Sequence, residues 1–106
     1  MNKLYVKYKE ITLGELSFDN GLYSYYAYAD NVSVALNKGY PIFLYFVEKD
    51  FVSDHLPRCL NDFIPKDNSQ MFYEANLKQT DTNFEKLLKV ASLPLYDGGL
   101  YISLEY

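Results

Sequence analysis

Two segments of alternating apolar and polar residues meet at Asn20-Gly21, and this feature constrains the fold more than any other in the chain. The segments are Glu15–Asp19 and Leu22–Tyr28. An Asn-Gly pair between such segments favours a two-residue type I′ hairpin turn, in which both residues need a positive φ. Because Leu4–Lys9 alternates in the same way, the sequence predicts a meander of three antiparallel strands near its start.

The second feature is Pro41–Val47, the longest apolar run in the chain. It carries no charge and is β-branched or aromatic at most positions, which suits a strand buried on both faces. Pro41 is tolerated as the first residue of such a strand. We expect the earlier strands to pair around this central strand, and most of the later chain to cover it with helices.

Between the meander and this run, Ala29–Gly39 is interpreted as a connection that contains a single helical turn. The helical half is expected to begin near Ser53, with Pro57 in the first turn of its first helix. Pro65 ends this helix because the residue before a proline is disfavoured in the α region. The apolar residues that recur there at helical spacing are Leu56, Cys59, Leu60, Phe63 and Ile64.

Two further helices are predicted. Asn68 or Ser69 can cap a short helix over Gln70–Leu77, and the residues of this helix that face inward are Phe72 and Ala75. Thr82 and Glu85 have the spacing of a capping box, in which each side chain accepts a hydrogen bond from a free backbone N–H of the other residue. Apolar residues then recur at helical spacing, which predicts a third helix behind the capping box.

A last strand is predicted from the alternation of Leu100, Ile102, Leu104 and Tyr106, after a turn at Asp97-Gly98-Gly99. The predicted class is therefore α+β, in one domain of residues 1–106. We expect a small curved antiparallel sheet, made of the meander, a buried central strand and a C-terminal strand. About three short helices would pack against one side of it.

Composition limits the function classes. The formal charge of −4 and the pI near 4.8 argue against a dedicated nucleic-acid binder, which would carry a basic stripe. Cys59 is the single cysteine, so the fold needs no internal disulfide. The sequence shows no apolar signal segment, and its longest apolar run is far shorter than the roughly 20 residues of a membrane-spanning helix. We therefore expect a soluble, cytoplasmic protein.

The chain offers few groups for catalysis. His55 is its single histidine, and a zinc site would lack its other ligands. Cys59 lies between apolar residues of the first predicted helix, so we interpret it as a small core residue and His55 as a surface residue. We expect no enzyme activity, no cofactor and no metal site. An enzyme that uses Cys59 or His55 is kept as a minor alternative.

Twelve tyrosines and no tryptophan are the unusual part of the composition. Tyrosine combines a large apolar ring with a hydroxyl, and it is common on β-sheets and at protein interfaces. The tyrosines of the third predicted strand could stack against sugars or bases, which leaves a carbohydrate- or single-strand nucleic-acid-binding module as an alternative function. These residues are Tyr23, Tyr25, Tyr26 and Tyr28.

The order of several segments resembles the first subdomain of the HipA-type kinase toxins. Members of that family begin with a similar meander, continue with a proline-started buried strand, and then have a helix that typically closes with Leu-Leu-Pro-Glu-Gly. No single motif is specific, and it is their order over nearly the whole chain that carries the resemblance. The matching segments are Leu4–Val6, Leu13–Phe18, Gly21–Tyr26, Tyr40–Leu44, Leu56–Asp67, Phe84–Leu88 and Gly98–Ile102.

The resemblance implies a binding protein rather than a kinase. The chain lacks the catalytic loop and the metal-binding triplet of the family's kinase core, and Pro65-Lys66-Asp67 stands where the family has Pro-Glu-Gly. A free-standing first subdomain would resemble the HipS proteins of three-gene HipBST toxin–antitoxin systems. The implied partners are a separate HipA-like Ser/Thr kinase toxin (HipT), which would be neutralised, and indirectly a helix-turn-helix DNA-binding protein (HipB).

The expected contact is the turn after the first predicted helix, together with the start of the second. A turn fixed by proline presents side chains at little ordering cost, and aromatic residues with methionine suit a binding hot spot. Phe63 and Ile64 also fit core positions, so the other residues of the set are the stronger interface candidates. The complete predicted set is Phe63, Ile64, Pro65, Lys66, Asp67, Met71, Phe72 and Tyr73.

Overall fold

A computed structural model of the chain describes residues 3–42, 48–67, 69–92 and 99–106. These residues form one open antiparallel sheet with the strand order β4-β3-β2-β1-β5. The sheet and the helices beside it confirm the predicted α+β class. The strands are β1 (Lys3–Tyr8), β2 (Ile11–Asp19), β3 (Leu22–Ala27), β4 (Phe51–Ser53) and β5 (Leu100–Ser103). The helices are α1 (Ala29–Asn37), α2 (Arg58–Asn61), α3 (Gln70–Glu74) and α4 (Asn83–Ala91).

The predicted meander is confirmed. β1 pairs with β2 and β2 with β3, and the hairpin between β2 and β3 closes with Asp19 opposite Leu22. Asn20 and Gly21 have φ values of 52° and 77°, as a type I′ turn requires. The last strand is also confirmed, although it ends at Ser103.

The sheet has a buried inner face and a half-exposed outer face. Leu4, Leu16 and Tyr25 lie side by side on the inner face, where each is at most 2% exposed. The neighbouring register row places Tyr5 opposite Glu15 and Glu15 opposite Tyr26 on the outer face. The alternation in the sequence therefore sorts these side chains onto the two faces of the sheet.

α4 packs its apolar side into the core, where Phe84, Leu87 and Val90 are buried. Its N-terminus has the predicted capping box, since Thr82 Oγ1 accepts from the Glu85 amide at 3.1 Å and Glu85 Oε1 accepts from the Thr82 amide at 3.0 Å. Both hydrogen bonds satisfy N–H groups that the first helical turn leaves without partners.

α1 is a correction to the predicted connection, because it is a helix of nine residues rather than a single turn. Its polar residues suggested a loop, but Val32 and Ala35 are three positions apart and both are buried in the core. Burial of one side stabilises a helix whose own sequence is a weak helix former. α1 leads back to the turn between β1 and β2, where Tyr40 and Lys38 both contact Glu10.

The prediction of a helix that begins near Ser53 is wrong in both the start and the length of the helix. Phe51–Ser53 is an edge strand paired with β3, and α2 covers Arg58–Asn61 alone. Pro57 is the N-cap of this helix rather than a residue of its first turn. The pairing partner of β4 is more than twenty residues away in the sequence, so the local pattern carried no sign of it.

Part of the predicted apolar stripe is nevertheless buried. Leu56 and Leu60 belong to the core, while Phe63 and Ile64 are half-buried and pack against it; the side chain of Cys59 lies outside the described part of the chain. The second predicted helix is confirmed with Ser69 as its cap, but α3 ends at Glu74 instead of Leu77. Asn76 follows with a φ of 59°, which a continuing helix does not allow.

Two predicted features fall largely outside the described residues. Of the Pro41–Val47 strand the structure describes Pro41 and Ile42, and Ile42 is fully buried. Of the Asp97-Gly98-Gly99 turn it describes Gly99. Among the described strands the middle position of the sheet belongs to β2. In the described ranges, the helices are all too short or too polar to cross a membrane.

Candidate functional site

The predicted partner-binding residues lie in the turn after α2 and on α3, and their exposed part is called here the α2–α3 surface. Tyr73 is the most prominent of them, with 62% of its surface exposed, and Lys66 and Asp67 are also exposed. Phe72 is only 3% exposed and belongs to the core. The remaining predicted residues are half-buried: Phe63, Ile64, Pro65 and Met71.

Two hydrogen bonds and one long ion pair are made by the residues around the α2–α3 surface. The Ser69 amide donates to the Lys66 carbonyl at 3.1 Å, and Ser69 Oγ accepts from the Phe72 amide at 3.2 Å. Lys86 of α4 approaches Asp67 to 3.9 Å. The two hydrogen bonds of Ser69 connect the turn to the start of α3, which lowers the conformational entropy that a partner must remove on binding.

Tyr73 is positioned by the core residue next to it. Its ring stands edge-on to the ring of Phe72, with the centroids 5.8 Å apart. Because Phe72 is locked in the core, this contact orients Tyr73 while leaving most of its surface in solvent. An exposed tyrosine that is oriented in this way can contact both apolar and polar groups of a protein partner.

A second candidate surface is a row of four tyrosines on the outer side of the sheet, called here the tyrosine row. Consecutive ring centroids lie 5.7 Å apart from Tyr26 to Tyr28, 5.7 Å from Tyr28 to Tyr106 and 5.8 Å from Tyr106 to Tyr5. Tyr26 is 58% exposed and Tyr106 is 68% exposed. The row joins β3, β1 and the residues that follow β5.

The sequence identified half of this row. Of the four tyrosines predicted near the third strand, Tyr23 and Tyr25 are buried, so they cannot stack against a ligand. Tyr5 was predicted on the face of β1 away from the core. Nothing in the pattern indicated that Tyr26 would lie level with it across the sheet, on the other side of Glu15. Tyr106 was expected to continue the last strand, and its contact with Tyr28 spans most of the chain.

Polar groups fix the tyrosine row. Tyr28 donates from its hydroxyl to Glu15 Oε1 at 3.2 Å, and Lys3 Nζ lies 2.7 Å from Glu15 Oε2. Burial and the nearby charge of Glu15 raise the pKa of Tyr28 to about 12. Asn31 Nδ2 donates to the Thr12 carbonyl at 2.9 Å and to the Tyr106 hydroxyl oxygen at 3.0 Å.

Tyr26 lines two shallow hollows on the outer face. One has a volume of about 330 Å³ and is lined by Tyr26, Tyr28 and Tyr106 of the row together with Asp30 and Asn31. The other has a volume of about 480 Å³ and includes Glu15 and Asp50 in its lining. Their sizes match the lower range of small-ligand sites. Both hollows therefore combine aromatic surface with acidic groups.

Of the two candidate catalytic residues, His55 is the one whose side chain the structure describes. His55 is exposed, and its Nδ1 lies 2.9 Å from Asp54 Oδ1 and 3.2 Å from Ser53 Oγ. The hydrogen bond with His55 lowers the pKa of Asp54. A catalytic triad needs the acid and the nucleophile on opposite ring nitrogens, whereas here both lie at the same one. Within the described ranges, no three His, Cys, Asp or Glu residues converge as a metal site.

Comparison of the chain with protein-family models, with curated proteins and with solved structures gave no match. The function must therefore be argued from the sequence resemblance and from the two surfaces. The α2–α3 surface carries most of the residues that the sequence singled out, with Phe72 beneath them in the core. The tyrosine row adds Tyr5 and Tyr106, which the sequence did not single out.

Proposed function

We propose that this chain is an antitoxin subunit of the HipS type, which binds a separate HipA-like Ser/Thr kinase toxin and neutralises it. The complex would also contain a helix-turn-helix protein of the HipB type, which would associate it with DNA. The chain would act by binding alone, without a cofactor. The proposal starts from the resemblance of the ordered sequence segments to the first subdomain of HipA-type kinases.

The observation that carries the proposal furthest is the exposure of Tyr73 on α3 and of Lys66 and Asp67 in the turn that precedes α3. Interface hot spots favour tyrosine, and they favour side chains that are already oriented before binding. Lys66 and Asp67 bring one charge of each sign to the rim, where charges steer partner selection more than they add affinity. Half-buried Met71 adds adaptable apolar surface.

The first experiment is co-expression with the HipA-like kinase encoded beside this chain, followed by a phosphorylation assay with and without the chain. We expect a stable complex and suppressed phosphorylation. Binding without suppression would reduce the chain to a structural or DNA-recruiting subunit. Absence of such a neighbouring kinase, or failure to bind it, would refute the proposal.

The contact is tested with two matched single variants. Tyr73→Ala should weaken kinase binding by about tenfold or more, as expected for a hot-spot tyrosine. Tyr26→Ala removes a tyrosine of similar exposure from the opposite side of the sheet and should leave kinase binding unchanged. If Tyr26→Ala weakened binding and Tyr73→Ala did not, the contact would belong to the tyrosine row instead.

A further inference from the structure

We propose that the tyrosine row is a second binding site, and that it takes an extended, proline-rich peptide segment with basic residues. This site does not depend on the kinase-binding role, because it lies on the outer face of the sheet and shares no residue with the α2–α3 surface. The proposal joins three observations, which concern shape, hydrogen bonding and charge.

The shape of the site fits an extended ligand. Tyr26 lines two hollows of about 330 Å³ and 480 Å³, so a ligand that enters both would contact its side chain from each. A polyproline II segment is extended and rigid, and it places a side chain or proline ring on the same side at every third residue. Ridges of tyrosine separated by hollows are the surface on which such segments dock.

The hydrogen-bonding groups also suit this ligand. A polyproline II segment makes no internal hydrogen bonds, so its carbonyl groups need donors from the protein. The Tyr106 oxygen accepts from Asn31 Nδ2, and therefore the hydrogen of its hydroxyl is directed elsewhere and can be donated to a ligand carbonyl. Tyr26, exposed over more than half of its surface, brings a second hydroxyl beside both hollows.

The charge of the site selects the kind of peptide. Glu15, Asp30 and Asp50 line the two hollows. Of these three acidic residues, Glu15 forms an ion pair with Lys3. The chain as a whole carries a formal charge of −4. This field attracts arginine or lysine on a peptide, and it repels the phosphates of a single-stranded nucleic acid. A basic, proline-rich segment satisfies shape, hydrogen bonding and charge together.

The test uses fluorescence anisotropy with a labelled peptide of about ten residues, in which prolines alternate with apolar residues and an arginine stands at each end. We expect saturable binding that weakens with added salt. Two comparison peptides replace either the prolines by alanine or the arginines by glutamate, and both should bind at least about tenfold more weakly.

Variants of the protein locate the site. Tyr26→Ala should weaken peptide binding by about tenfold or more, and Asp30→Asn should weaken it less and reduce its salt dependence. Tyr73→Ala is the matched control, because Tyr73 is equally exposed but lies on the α2–α3 surface; it should bind the peptide normally. The assay contains no kinase, so its outcome is separate from that of the antitoxin proposal.

Three outcomes would overturn the inference. The first is no binding of the arginine-flanked peptide at about millimolar concentration. The second is binding that Tyr26→Ala does not weaken. The third is that a neutral oligosaccharide, tested in the same way, binds through Tyr26 while the peptide does not, which would assign the row to carbohydrate recognition.

Discussion

Gly14 in β2 shows how one residue without a side chain makes room for a buried aromatic ring. A Cβ atom built on Gly14 would lie 2.5 Å from the hydroxyl oxygen of Tyr25 and 2.5 Å from the carbonyl oxygen of Tyr26. Tyr25 is 2% exposed and cannot swing into solvent without leaving the core. The requirement for glycine at this position is therefore steric, and it comes from the neighbouring strand.

We expect Gly14→Ala to lower the free energy of unfolding by about 1–3 kcal/mol, the usual cost of overpacking a core. Urea unfolding followed by circular dichroism measures this difference. Ser17→Ala, on the same strand, is the control and should change stability by less than about 0.5 kcal/mol. An equally stable Gly14→Ala variant would mean that Tyr25 is not held over this residue.

Glu10 is a charged residue whose contribution to the free energy of unfolding should depend on pH. Hydrogen bonds from Lys38, from its own backbone amide and from Tyr40 lower the pKa of Glu10 from 4.5 to about 2. A carboxyl whose pKa is lower in the folded state stabilises the fold above its unfolded pKa, and this contribution is lost as the pH falls through the folded pKa.

We therefore expect Glu10→Gln to be less stable than the native chain at neutral pH, and the difference to vanish as the pH falls from 4.5 to about 2. Because the group is exposed, added salt should reduce the difference. Thermal unfolding at several pH values measures it, with Glu105→Gln as an exposed control. A difference that stays constant with pH would show that Glu10 acts through packing alone.

At the scale of elements, the N-terminus of α4 is the clearest case of a helix start encoded by a few residues. Thr82 and Glu85 exchange two hydrogen bonds, and both are made within four residues of sequence. Thr82→Ala should lower the free energy of unfolding by about 1 kcal/mol, because one amide of the first turn loses its acceptor.

Thr80→Ala, in the exposed turn just before α4, is the control for this substitution. Chemical denaturation of both variants gives the comparison, and equal stabilities would indicate that the capping box contributes nothing. Hydrogen exchange at the Glu85 amide offers an independent measurement. It should become faster in Thr82→Ala than in the native chain if the helix start frays.

At the scale of the whole molecule, one core joins the sheet to the helices. The ring of Phe84 in α4 stacks on Phe18 of β2 with centroids 5.9 Å apart, and Phe18 contacts Tyr23 of β3 at 4.6 Å. A small domain with one core of this kind is expected to unfold in a single cooperative transition. Sheet and helices should therefore lose their structure together.

We expect Phe84→Ala to lower the free energy of unfolding by about 3–5 kcal/mol, as other buried phenylalanine truncations do. Circular dichroism and tyrosine fluorescence should still give coincident transitions. Asn83→Ala, the exposed neighbour, is the control. Two separate transitions in the native chain would show that α4 and the sheet form independent units.

The predicted partner-binding set contains one core residue and one exposed residue side by side in the sequence, and their substitutions should affect stability differently. Phe72→Ala should destabilise the chain strongly because Phe72 is in the core, whereas Tyr73→Ala should change its stability by less than about 0.5 kcal/mol. Chemical denaturation of the pair measures this contrast. A large loss of stability in Tyr73→Ala would remove it from the proposed interface and place it among the structural residues.

The sequence by itself determined the features whose causes lie within a few residues. The turn at Asn20-Gly21 needs two residues that tolerate a positive φ, and the capping box needs Thr82 three positions before Glu85. Both features can therefore be predicted from a few neighbouring residues. The faces of β1 follow from strict alternation, which any half-buried strand shows. Helical spacing also predicted that Phe72 faces inward, and Phe72 is buried while its neighbour Tyr73 is exposed.

Only the tertiary structure decided the features that depend on residues far apart in the chain. Phe51–Ser53 is a strand because β3 offers an open edge, and α1 continues over nine residues because Val32 and Ala35 are buried in the core. Tyr106 joins the tyrosine row through Tyr28. Hydrophobic patterns report which side chain is buried, but they do not identify its partner, and these three features are set by the partner.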